Sequence, residues 1–147
     1  MRYFFFCTIF ISSWFVFFLG SNFAFAEVRD YAHAIVTTST GKKISVEVAD
    51  TVDKRSLGLG KRSGLENGWG MLFVFEKRKK HGFWMKNMQF PLDIIWLENH
   101  RIVHILRNVQ PEKSGVIPPV MTPPVVGNFV LEIDNIQSVL YHLSLKH

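Results

Sequence analysis

The segment Phe83-Trp84-Met85-Lys86-Asn87-Met88-Gln89-Phe90-Pro91-Leu92-Asp93 holds the densest mixture of groups able to do chemistry. Trp84 offers an aromatic platform, Lys86 a cation, Asn87 a paired donor and acceptor, and Asp93 a carboxylate. In an extended chain Trp84 and Lys86 share one face, and Phe83, Met85 and Asn87 share the other. Asp93 leads into Ile94-Ile95-Trp96-Leu97, an apolar run that should be buried. A carboxylate there needs partners, because an unpaired buried charge is costly. Lys86, Arg62 and backbone N–H groups are the candidates. Two chemistries fit this set. One is a ligand pocket made by Trp84, Lys86, Asn87, Asp93 and Arg62. The other is acid–base catalysis, with Asp93 as acid or base and Lys86 stabilising developing negative charge. A third reading makes the set a structural network pinning a loop to a sheet.

Other strings fail on spacing. Gly58-Leu59-Gly60-Lys61-Arg62-Ser63 lacks the glycine at position 55 and the hydroxyl residue directly after Lys61 that a phosphate-binding loop requires. The six histidines form no metal-ligand spacing. His100 and His104, on a strand, would stand about 13 Å apart, too far for one ion. No Gly-x-Ser-x-Gly elbow is present. The sequence thus carries neither a metal motif nor a cofactor motif.

The elements that must position these residues read as short strands. Tyr31–Ser39 is rich in Val, Ile and Thr, and Thr40-Gly41 signals a turn. From Lys43 to Asp50, Ile44, Val46 and Val48 alternate with Ser45 and Glu47, the pattern of a half-buried strand. Asp50 or Thr51 can cap a short helix running to about Leu59. Met71–Phe75, Leu92–Leu97, Arg101–Val109 and Gly127–Asp134 read as further strands. Lys77-Arg78-Lys79-Lys80 reads as a solvated turn between apolar strands, or as an attractor of anionic polymers. Pro111–Pro124 holds five of the six prolines and cannot be helix or central strand. Asn135–Leu143 can form a second short helix with Ile136, Val139, Leu140 and Leu143 on one face. The expectation is a mainly β domain, sandwich or barrel-like, with one or two short helices.

Residues 1–26 read as a secretory signal peptide. Arg2 is the only charge before Glu27, Tyr3–Leu19 is nearly all apolar, and Ala24-Phe25-Ala26 supplies the small residues of a cleavage site. The competing reading is an uncut anchor, since about 18 apolar residues nearly span a bilayer. Removing 26 of 147 residues leaves 121, one domain with a core of its own. It also removes the only cysteine, Cys7, and nine of fourteen phenylalanines. With Arg2 gone, 16 basic residues face 12 acidic ones, a net charge of +4 matched by the single run Lys77–Lys80. That is not the spread-out basic surface of a nucleic-acid binder.

Phe83-Trp84-Met85-Lys86-Asn87 with Pro91-Leu92-Asp93 resembles the central signature of the family called domain of unknown function 192. Val46–Thr51, Arg55 through Arg62, Gly70–Phe75, Asn108-Val109 and Phe129-Val130-Leu131-Glu132 follow that family's order, so the resemblance spans about residues 43–134. Two features depart from it. Asn135–His147 lacks the glycine-rich closing strand, and Leu57-Gly58-Leu59-Gly60 stands where Arg-Gly-Leu-Met is more usual. The resemblance implies a jelly-roll-like β-sandwich with a short helix, and brings no activity, substrate or cofactor. The functional expectation is an exported periplasmic or extracellular protein of the bacterial envelope. It would be a non-catalytic module binding a small molecule, glycan or protein partner. It would touch no nucleic acid, and would touch a membrane only through residues 1–26 if these stay attached. A hydrolase or lyase acting on an envelope polymer through Asp93, and a structural accessory protein, are the alternatives.

Overall fold

A computed structural model describes residues 30–113 and 115–136. The expected signal peptide, and all but Asn135 and Ile136 of the expected second helix Asn135–Leu143, lie outside these residues. The described chain forms β1 (Ala32–Thr37), β2 (Lys43–Ala49), α1 (Val52–Leu57), β3 (Trp69–Lys79), β4 (Leu92–Glu98), β5 (Arg101–Val109) and β6 (Gly127–Ile133). The mainly β expectation with a short helix holds. The strands join into one six-stranded mixed sheet, ordered β1-β2-β3-β6-β4-β5, which does not close into a barrel. All neighbours are antiparallel except β2 and β3, which run parallel and are bridged by α1. No described helix is long and apolar enough to cross a membrane.

Local chemistry explains the elements. The β1–β2 hairpin closes on Gly41 at φ 83°, with the Thr38 carbonyl accepting from Gly41 N–H at 2.9 Å. The β4–β5 turn puts Asn99 and His100 both at positive φ, the twist a tight hairpin demands. Thr51 caps α1, its Oγ1 accepting from Lys54 N–H at 3.2 Å, and Gly58 ends it at φ 51°. The basic run is not a turn. β3 continues through Lys79, and its exposed end carries Lys77 and Arg78, with Arg78 paired to Glu98 on β4. Pairing with β6 shifts register between Val74 and Lys79, so the strand can leave the core and still reach Gly127.

Cross-strand register sorts side chains onto two faces. On one, Met71 and Phe73 of β3 stand beside Glu132 and Val130 of β6, which stand beside Ile94 and Trp96 of β4. This face packs under Phe83, Met85 and Leu59. On the other, Ile44, Val46, Ile95, Leu131, Ile133 and Ile136 form a second cluster. Alternation along each strand therefore separates Glu132 from Leu131 and Ile133, and Ile94 from Asp93 and Ile95.

Candidate functional site

The segment after β3 is tied down before it reaches Trp84. Trp96 is fully buried, and its indole N–H donates to the His81 carbonyl at 2.8 Å. Phe83 exchanges two backbone hydrogen bonds with Met121, at 2.9 and 2.7 Å, joining this segment to the proline loop. Its ring meets Phe73 edge-on at 4.8 Å and Trp96 at 5.8 Å. With Phe83 and Met85 buried, Trp84 points outward and is 43% exposed. The Lys86 ammonium lies 5.0 Å from the Trp84 ring centroid, a cation–π contact at a half-wet site. Asn87 departs from the extended pattern. It sits at φ 59° in a turn, and its carbonyl accepts from Lys61 N–H at 2.8 Å. That bond fixes the end of the α1 region against the Trp84 segment.

Between these two pieces opens a cleft of about 250 Å³. Leu57–Gly60 form one side, Phe73, Phe75 and Phe83 the apolar wall, and Trp84, Lys86 and Met88 the other side. Glu132 also lines it. This residue is 5% exposed and has no hydrogen bond or ion pair among the described residues. Burial pushes its carboxyl up to about 8, so at neutral pH it carries its proton. A protonated carboxyl is at once a donor and an acceptor. Arg55, also at the cleft, is already committed: its guanidinium donates to the Asp50 and Val74 carbonyls at 2.6 and 2.9 Å and lies over Phe75.

The residues expected to act together are thus divided. Trp84 and Lys86 border the cleft. They also border an open groove of about 740 Å³ that includes Asn87, Lys61, Glu112, Lys113 and the stretch 115–118. Asp93 is on the opposite face of the sheet. It is 5% exposed, and both oxygens are taken by backbone amides, Asn108 N–H at 2.6 Å and Ile136 N–H at 2.5 Å. Neither Lys86 nor Arg62 is its partner. Arg62 forms a two-pronged pair with Glu47 at 3.1 and 2.6 Å and lines a separate depression with His33 and Trp69. Glu132 belongs to no catalytic or metal-ligand motif in the sequence. Its signal was present: a single carboxylate inside the apolar strand Phe129-Val130-Leu131-Glu132-Ile133, the same anomaly that singles out Asp93.

A family model for DUF192, described as an uncharacterised ACR, matches residues 34–138. The chain belongs to this family. Two solved structures are similar to this DUF192 chain. One is a Sinorhizobium meliloti 1021 protein described as a candidate transcription regulator, with 26% identity and a TM-score of 0.64 over 79% of this chain and 89% of that one. The other is a protein of unknown function from Novosphingobium aromaticivorans DSM 12444, with 27% identity and a TM-score of 0.62 over 79% and 80%. No curated protein matches this DUF192 chain.

Proposed function

We propose that this DUF192 chain is an exported, non-catalytic module that binds a small molecule in the cleft between α1 and Trp84. The observation that carries the reading is Glu132. A buried acid with no partner among the described residues is a destabilising feature, and a bound ligand that completes it is one physical reason for its presence. Here it lies in a cleft where aromatic rings stand beside polar and charged groups, the two ingredients of a ligand site. Trp84 and Lys86 stand at its side as the exposed platform and cation. Catalysis is less well supported. Asp93 has both oxygens hydrogen-bonded and faces away, and the described residues lining the cleft include neither a histidine nor a second carboxylate.

Retention of small molecules from envelope extracts, read by mass spectrometry, tests this. The wild type should enrich at least one species. Trp84→Ala and Glu132→Leu should both lose it while unfolding cooperatively like the wild type. Equal retention by all three proteins, or by none, would oppose the proposal.

A further inference from the structure

The cleft's chemistry narrows what it can hold, on the basis of the binding role proposed above. Three observations bear on this. First, size: an apolar cavity of roughly 150 Å³ accepts benzene, so about 250 Å³ has room for one such ring and a small polar head. Second, the deep polar group is a single carboxyl set between Met71 and Ile94 in the cross-strand row, with Val130 two residues along its strand. None of these three neighbours would neutralise a second charge. Third, the other charged groups at the cleft, Arg55 and Lys86, are cations. They oppose entry of a positively charged ligand, while Arg55 is held on the Asp50 and Val74 carbonyls and Lys86 over Trp84, so an anionic head would meet a buried acid with which no cation is paired among the described residues.

We infer that the cleft takes an uncharged, flat ligand whose head presents a hydrogen-bond donor and acceptor side by side to Glu132, as in a carboxamide, a lactam or a nucleobase edge. The neutral carboxyl answers such a head in a planar, two-bond pair, and Phe73, Phe75 and Phe83 pack the ring. Recognition is then tied to the proton on Glu132. Loss of that proton removes the donor and leaves a desolvated anion facing the ligand's own acceptor.

Benzamide, benzylamine and benzoate share one ring and differ only in the head, so they serve as probes. Binding is read by resonance shifts in the full chain. Benzamide should bind most tightly near neutral pH and weaken several-fold by about pH 9.5, past the point where Glu132 ionises. Glu132→Leu should weaken benzamide roughly tenfold or more. Glu132→Gln, which keeps a donor and an acceptor, should bind benzamide with no such pH dependence. Thermal unfolding confirms that both variants fold. Benzylamine or benzoate binding as tightly as benzamide, and still depending on Glu132, would overturn the ligand class while leaving the binding role intact. Benzamide binding that ignores Glu132→Leu, or absent from the folded wild type, would overturn the inference, and the retention experiment alone would then decide the binding role.

Discussion

Glu132→Gln isolates the most unusual group in the fold. The carboxyl moves from an ordinary value of 4.5 to about 8 on folding, because burial disfavours its charged form. The sign follows from proton counting. At low pH both native and unfolded chains hold the proton, and Glu132 adds no penalty. As pH rises past 4.5 the unfolded chain releases its proton while the native chain keeps it, so stability falls. The fall continues to about 8, where the native group also ionises, and then stops. The slope in this window is about 1.4 kcal/mol per pH unit, with an upper limit on the order of 5 kcal/mol across it. Urea unfolding of wild type and variant across the window gives the measurement. Between about pH 5 and pH 7 the wild type should lose roughly 2–3 kcal/mol relative to Glu132→Gln, which has no proton to lose. Any cost of the buried amide is the same at every pH and cancels from the slope. Parallel stability profiles for the two proteins would refute a buried, unpartnered acid at this position.

Two further predictions concern residues that shape the site without lining it. Asp93→Ala strands the Asn108 and Ile136 amides and should cost about 3 kcal/mol in urea unfolding; an unchanged midpoint would contradict its role as a clamp between β4, β5 and the chain after β6. Gly70→Ala would place a Cβ 2.7 Å from the Glu132 carbonyl oxygen and the Ile133 side chain, and should destabilise by about 1–3 kcal/mol. Gly64→Ala, with nothing within 4 Å, should be close to neutral, and equal effects at the two glycines would count against this packing.

The elements were largely legible in the sequence, because each carries its own local chemistry. Thr51 and Gly58 bracket α1, Gly41 turns the first hairpin, and Ile44, Val46 and Val48 alternate as a half-buried strand must. The far end of β3 was not. Lys77–Lys79 have no apolar partners to mark them as strand, and only pairing to Gly127 draws Lys79 into the sheet. The site was half legible. Trp84 and Lys86 are marked by alternation against the buried Phe83 and Met85. Asp93 was drawn into the same group because β4 is apolar on both faces, so a period-2 pattern cannot say which face a residue takes. The same ambiguity hid Glu132, whose face is fixed only by its register with Met71 and Ile94. Arg62 stands apart for a different reason: its partner Glu47 lies on β2, brought near by the β2–α1–β3 crossover that no short-range pattern reveals.

The most direct measurement is the carboxyl carbon resonance of Glu132, followed through a pH titration with Glu132→Gln as the assignment control. A buried acid at this cleft, with no partner among the described residues, predicts a neutral carboxyl at pH 7 that titrates near 8, and whose resonance moves when a small molecule retained from envelope extract is added. A carboxyl that titrates near 4.5 and ignores every retained molecule would contradict the account.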